Sequence, residues 1–139
     1  MPLSEDNILG FSNPWYPEGF AHAIPFQLPD DTSILIMPAV YFLATKLAAL
    51  RSRGMRDIRL SNDLEDILYL LDNRPELAEE VALASATVRP YLAVEISQLL
   101  RHPELLEAID DYLPYGSGPT RGTLLKQRLQ SLVLAAGAL

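Results

Sequence analysis

Residues 38–72, which read PAVYFLATKLAALRSRGMRDIRLSNDLEDILYLLD, constrain the fold of this chain more than any other stretch. Apolar residues recur there at the spacing that lines one face of an α-helix. The first such stripe comprises Val40, Leu43, Ala44, Leu47 and Leu50. The second comprises Leu64, Ile67, Leu68 and Leu71. Because consecutive helices usually pack together, the stretch predicts two neighbouring helices joined by a short basic loop.

Local signals predict where these two helices begin and end. Pro38 suits the first turn of a helix, because its missing N–H costs nothing there. Gly54 can adopt the left-handed conformation that ends a helix. The second helix is predicted to begin near Asn62, with Glu65 completing a capping box, and to end at residues 72–73.

Two short apolar runs precede this helix pair. Residues 23–28 (AIPFQL) and 33–37 (SILIM) flank the turn Pro29-Asp30-Asp31-Thr32, which predicts a β-hairpin. Pro25 suits an edge position, because it cannot donate a hydrogen bond to a neighbouring strand. Two strands alone do not make a stable sheet. We therefore expect the hairpin to need another copy of the chain or more sequence upstream.

The N-terminal segment is rich in aromatic residues, proline and glycine. Its single tryptophan, Trp15, lies beside Phe11, Tyr16 and Phe20. Prolines follow residues 13 and 16, and a residue before proline is steered away from helical geometry. We expect an irregular segment that packs across the domain, with ligand stacking by Trp15 as the alternative.

The remainder of the chain is predicted to be helical. Pro-Glu-Leu occurs at residues 75–77 and 103–105, and proline with glutamate in a first turn is typical of a helix start. Apolar stripes predict helices over residues 88–100 and 124–136, separated by a glycine- and proline-rich loop at 114–119.

These signals predict an α+β, mostly helical fold, with a short N-terminal β-hairpin followed by about six helices. A length of 139 residues suits one domain, 1–139. We divide it into an aromatic loop and hairpin (1–37) and a helical part (38–139).

Composition and charge exclude several functional classes. A net charge of −7 disfavours nonspecific nucleic-acid binding, because phosphate neutralisation needs a surplus of lysine and arginine. Four arginines nevertheless cluster within nine positions around the predicted loop, which leaves a local anion site and a solvated loop as alternatives: Arg51, Arg53, Arg56 and Arg59. The chain has no cysteine and only two distant histidines, so we expect no metal site. Without a membrane-length apolar run or a signal peptide, we expect a cytoplasmic protein that does not bind membranes.

Lys46 is the notable polar residue of the first helix, because apolar residues surround it at helical spacing. A covered lysine is rare without a partner, and Asp63 or Asp66 on the next helix is the expected one. The alternative is a lysine whose stem lies along the helix interface while its ammonium reaches water. The position of Asp63 also has a simpler explanation, because acidic side chains in the first turn of a helix interact favourably with the helix dipole.

The strings LGFSNPWYP and YFLATKLAALRSRGMRDIRLSNDLEDILYLLD resemble the later half of nucleotidyltransferase-fold proteins of the AbiEii toxin-like kind. The resemblance covers roughly residues 9–101. It implies that Lys46, Asp63 and Asp66 belong to the helical wall of a nucleotide-binding cleft.

The chain lacks the defining site of that family, a Gly-Ser turn followed by an Asp-x-Asp pair that holds two divalent metals. Its Gly116-Ser117 lies in a late loop with no Asp-x-Asp after it. The resemblance therefore implies a C-terminal portion that begins after the metal-binding half and is inactive on its own. No catalytic residue is assigned, and Mg²⁺ and a nucleoside triphosphate are expected only with the missing half.

The alternative is a non-catalytic helical interaction or dimerisation module, such as an antitoxin-like partner. An unpaired strand edge invites pairing with another chain. On this interpretation a homodimer or a partner chain is expected at the N-terminal strand edge.

Overall fold

The computed structural model of this chain describes residues 13–53 and 55–137. Its first elements are α1 (Trp15–Ala21), β1 (Ile24–Gln27) and β2 (Ser33–Ile36). Six α-helices follow within the described ranges: α2 (Ala39–Arg53), α3 (Asn62–Asn73), α4 (Leu77–Ala82), α5 (Val88–Leu100), α6 (Leu105–Tyr112) and α7 (Pro119–Ala136). A single 3₁₀ turn, Ile58–Leu60, lies between α2 and α3. The predicted fold class is confirmed.

The helices enclose one apolar core. Helix α5 packs along α7, α4 also packs on α7, and α2 packs against α3. Every residue of the two stripes predicted in residues 38–72 is buried in this core. The stripes thus predict the faces of α2 and α3 correctly, because burial of apolar surface dominates helix packing.

The aromatic N-terminal segment is not the irregular loop that its prolines predict. Residues Trp15–Ala21 form helix α1, and the side-chain oxygen of Asn13 accepts a hydrogen bond from the Trp15 N–H at 3.1 Å. Pro17 falls in the first turn, where a missing N–H is tolerated. The Trp15 ring packs 4.9 Å from the ring of Tyr91, which confirms packing for this tryptophan. Phe11 lies outside the described residues.

The second helix begins at Asn62 as predicted, but its cap differs from the predicted one, and the last helix starts earlier than predicted. The cap of α3 is Ser61, whose hydroxyl accepts a hydrogen bond from Leu64 N–H at 3.1 Å, so the capping box at Asn62 and Glu65 was wrong. Ser61 has the extended backbone of an N-cap, whereas Asn62 is already helical. Helix α7 begins at Pro119 rather than at residue 124. Gly54, the predicted end of the first helix, lies outside the described residues.

Arginines of α7 bind the end of α3. The Arg128 guanidinium donates to the Leu71 carbonyl at 2.7 Å, and Arg121 donates to both carboxylate oxygens of Asp72 at 2.7 Å. Cations at a helix C-terminus stabilise its unpaired carbonyls. These contacts fix α7 against α3. In the described ranges we find no helix that combines the length and hydrophobicity needed to span a membrane.

Candidate interaction surface

Lys46 lies beside Asp66. The Lys46 ammonium is 2.8 Å from the Asp66 carboxylate and 5.5 Å from the centre of the Phe42 ring. The lysine side chain is 28% exposed and that of Asp66 47% exposed. The stem therefore lies along apolar surface while the charge reaches the surface, as one sequence alternative predicts. An exposed pair of this kind contributes about 0–1 kcal/mol to stability.

Asp63, by contrast, is buried and binds a different cation. The Arg53 guanidinium is 3.0 Å from each of its carboxylate oxygens. This bond joins the last turn of α2 to the first turn of α3. The structure thus brings together Lys46 and Asp66, whereas Asp63 serves a separate ion pair. A nucleotide-binding role for these three residues stays a prediction.

Three arginines of the cluster at residues 51–59 bind carboxylates on three different helices. Besides the Arg53–Asp63 pair, Arg51 binds Glu95 on α5 at 3.2 Å, and Arg59 binds Asp111 on α6 at 2.7 Å. The guanidinium of Arg59 also lowers the pKa of the Asp111 carboxyl. Because these arginines already bind carboxylates, their arrangement favours helix-to-helix contacts over an anion site.

A polar cluster around Glu18 has no counterpart in the sequence prediction. One carboxylate oxygen accepts hydrogen bonds from the hydroxyls of Tyr41 at 2.8 Å, Ser85 at 3.1 Å and Thr87 at 2.7 Å. The bonds from Thr87 and then Tyr41 are the largest causes that lower the pKa of Glu18, while partial burial opposes them. The cluster ties α1 to α2 and to the segment before α5. Since Glu18 and Thr87 are 69 positions apart, no sequence spacing indicates it.

The two histidines make structural contacts. The Nδ1 of His102 accepts the Glu104 N–H at 3.1 Å, which leaves its Nε2 to donate to the Met55 carbonyl. The His22 ring stacks on Tyr41, with 5.0 Å between ring centroids. Among residues 13–53 and 55–137, no three acidic or histidine side chains group as a metal site would require.

Among the described residues, the β-hairpin carries several large apolar side chains that are exposed to water. In its register Ile24 pairs with Ile36 and Phe26 pairs with Ile34. Paired residues of an antiparallel ladder point to the same face, so these four side chains form one surface, the apolar face. Each of them is between 42% and 57% exposed. All eight residues of the two strands are exposed, so neither strand contributes a buried residue to the core.

The two edges of this hairpin differ in their ability to bind another strand. The Leu28 N–H donates to the Thr32 carbonyl at 2.7 Å, so residues 28 and 32 form a hydrogen-bonded pair. Hydrogen-bonded pairs alternate with non-hydrogen-bonded pairs along an antiparallel ladder, so the pairs 26/34 and 24/36 are also hydrogen-bonded. Pro25 and Leu35 form an intervening pair whose backbone groups point outwards. Proline has no N–H, which weakens the β1 edge as a pairing site. The β2 edge presents complete N–H and C=O groups at Ser33 and Leu35.

The hairpin has a well-defined turn of its own. Asp31 adopts a left-handed backbone with φ of +70°, and the Asp30 carboxylate accepts the Thr32 N–H at 3.0 Å. The Gln27 amide donates to Asp31 at 3.2 Å. Turn chemistry of this type sets the register without help from the helical body. The two aspartates also place negative charge at the tip, whereas neither strand contains a charged residue.

Comparisons with models of protein families, with curated proteins and with solved structures found no match to this chain. A functional conclusion therefore depends on the geometry. Lys46 and most of the clustered arginines are bound to carboxylates, Asp63 is bound to Arg53, and the Glu18 cluster joins three elements. The four side chains of the apolar face, by contrast, are each at least 42% exposed.

Proposed function

We propose that this chain is a non-catalytic helical module that binds another polypeptide through the apolar face of its β-hairpin. One observation carries the proposal: Ile24, Phe26, Ile34 and Ile36 lie together on one face and each is at least 42% exposed. Contiguous exposed apolar surface on a soluble domain marks interaction sites. The six helices bury their own apolar stripes, so the hairpin is not needed to complete the core.

The helical body holds the hairpin in a defined position. Helix α1 precedes β1 and helix α2 follows β2, and the Glu18–Tyr41 hydrogen bond of 2.8 Å joins these two helices. The backbone of Gly19 in α1 also approaches α2 closely, since a Cβ there would lie 3.1 Å from the Tyr41 Cβ. A surface presented on a rigid base loses less entropy on binding than a mobile one.

Site-specific photocrosslinking tests this function. A photoreactive phenylalanine analogue replaces Phe26 in cells of the organism that encodes the protein, and the same analogue replaces Tyr115 as a control. Tyr115 is fully exposed and lies in the loop before α7. We expect a discrete crosslinked product from position 26 that position 115 does not give and that Ile34→Asp abolishes. A product pattern that is the same at both positions, or one unchanged by Ile34→Asp, would contradict the proposal.

A second function, the helical wall of a nucleotide cleft in an AbiEii-type nucleotidyltransferase-like assembly, has one observation in its favour. Lys46 and Asp66, two of the residues that the resemblance implies for that cleft, are 2.8 Å apart on neighbouring helices. On this proposal the chain is inactive alone and contributes only binding. Calorimetric titration of ATP, CTP and GTP with Mg²⁺ tests it: heat that Lys46→Ala removes would support the cleft, whereas no heat with wild type would refute it for this chain.

A further inference from the structure

We propose that the polypeptide bound by the hairpin is a second copy of this chain, with the two apolar faces stacked on each other across a two-fold axis. The inference rests on the proposed function and names its partner. In a two-fold dimer the same patch serves on both sides, so the patch must be complementary to itself. The apolar face meets this condition, because Ile24, Phe26, Ile34 and Ile36 carry no polar group that would need a partner.

Stacking explains the exposed surface better than edge pairing does. The free N–H and C=O groups of Ser33 and Leu35 are satisfied by water in the monomer, so leaving the β2 edge open costs little. Apolar surface has no such compensation, and its removal from water is the main driving force of association. Two hairpins joined only through β2 would leave both apolar faces in water. Two stacked hairpins cover them and form a small two-layer sheet.

The size of the apolar face suits a modest dimer. Four large side chains that are each between 42% and 57% exposed offer on the order of 400 Å² per chain, taking about 200 Å² for a fully exposed one. Since about 57–65% of an interface is apolar, this corresponds to roughly 600 Å² per partner, or ~1,200 Å² in total. That value lies at the lower end of the range for specific interfaces, and we expect a Kd in the micromolar range.

The charge distribution sets the orientation of the two copies. The chain has a net charge of −7, and Asp30 and Asp31 concentrate negative charge at the hairpin tip. With the strands of one copy antiparallel to those of the other, the two tips point in opposite directions. Parallel stacking would place four carboxylates side by side, which costs free energy. We therefore expect the dimer to strengthen only slightly at higher salt.

Sedimentation equilibrium over protein concentrations from about 1 µM to about 1 mM tests the dimer. Wild type is expected to shift from the 15.4 kDa monomer to twice that mass. Ile34→Asp introduces a charge into the apolar face, twice per dimer, and is expected to weaken association by at least ~100-fold. Ile34→Thr, which keeps the β-branched shape that strands favour, weakens it less. If Ile34→Asp unfolds the hairpin, Ile34→Thr still tests whether the apolar face drives association.

Two control variants separate the alternatives. Leu134→Asp changes an exposed leucine on α7 and is expected to leave the Kd unchanged. Leu35→Pro removes an outward N–H of β2 without touching the apolar face, so the stacked dimer should persist. Loss of the dimer with Leu35→Pro but not with Ile34→Asp would overturn stacking in favour of edge pairing. Equal effects of Ile34→Asp and Leu134→Asp would also overturn it.

A monomer at every concentration would refute the second copy as partner. The photocrosslinking experiment then distinguishes the two failures. A product from position 26 that contains a different polypeptide leaves the proposed function standing and refutes only the dimer. Absence of any product specific to position 26, together with a monomer, refutes both.

Discussion

Replacing Glu18 by alanine tests the polar cluster that positions α1 against the helical body. In the wild type one carboxylate oxygen accepts hydrogen bonds from Tyr41 at 2.8 Å, Ser85 at 3.1 Å and Thr87 at 2.7 Å. A hydrogen bond contributes about 0.5–1.5 kcal/mol net, and more to a charged partner. Because the bonds share one oxygen in a partly exposed site, we take the lower half of that range for each. Glu18→Ala is then expected to lower the free energy of unfolding by about 1.5–3 kcal/mol.

Thermal unfolding followed by circular dichroism measures this loss. For a chain of this length a change of that size lowers the Tm by roughly 5–10 °C. Glu79→Ala serves as the matched control, since Glu79 is an exposed glutamate on α4. An exposed surface substitution of this kind is expected to change stability by no more than about 0.5 kcal/mol.

The stability that Glu18 contributes is expected to depend on pH. The hydrogen bonds lower the pKa of folded Glu18 below the ordinary value of 4.5. A carboxylate with a lowered folded pKa adds stability that is complete above its unfolded pKa and disappears as the pH falls through the folded pKa. The gap between wild type and Glu18→Gln should therefore be widest near pH 7 and close in acid. A gap that is absent at pH 7, or constant down to pH 3, would refute this account of the cluster.

Four further substitutions test the packing and the ion pairs. Asp63→Ala removes the buried partner of Arg53 and should lower the free energy of unfolding by about 1–3 kcal/mol. Asp66→Ala breaks an exposed ion pair and should lower it by less than about 1 kcal/mol. Urea unfolding measures both losses, and equal losses would contradict the difference in burial between the two aspartates. Gly19→Ala would place a Cβ 2.8 Å from the Met37 Cε and should cost about 1–3 kcal/mol. Met37→Ala should recover part of that loss, and no recovery would locate the clash elsewhere.

Features set by local chemistry could be predicted from the sequence. The stripes of α2 and α3 follow from helical periodicity, and all their residues are buried. The hairpin follows from two apolar runs around Pro29-Asp30-Asp31-Thr32, and its strands lie within the predicted ones. A partner for Lys46 at Asp63 or Asp66 could be predicted because consecutive helices pack together, and the structure has Asp66 in that place.

Features that depend on long-range geometry could not be predicted. Glu18 meets Ser85 and Thr87 across 67 and 69 positions, and neither spacing carries a periodic signal. Helix α1 could not be predicted, because proline disfavours helical geometry at the residue before it and the hydrogen bond from the Trp15 N–H to the Asn13 side chain has no sequence signal. The choice of Arg53 as partner for Asp63 depends on how the 3₁₀ turn reverses the chain, which periodicity does not describe.

Protection of the apolar face in solution tests the central claim most directly. The chain contains no cysteine, so Ile24→Cys places a unique thiol on the rim of the apolar face, and Leu134→Cys places one on exposed α7. Thiol-modification rates are measured in cells of the organism that encodes the protein and on dilute purified protein. If the hairpin binds a polypeptide, the position 24 thiol reacts at least ~10-fold more slowly in cells relative to the position 134 thiol. The same ratio of rates in both conditions would contradict the claim that the hairpin is a binding surface.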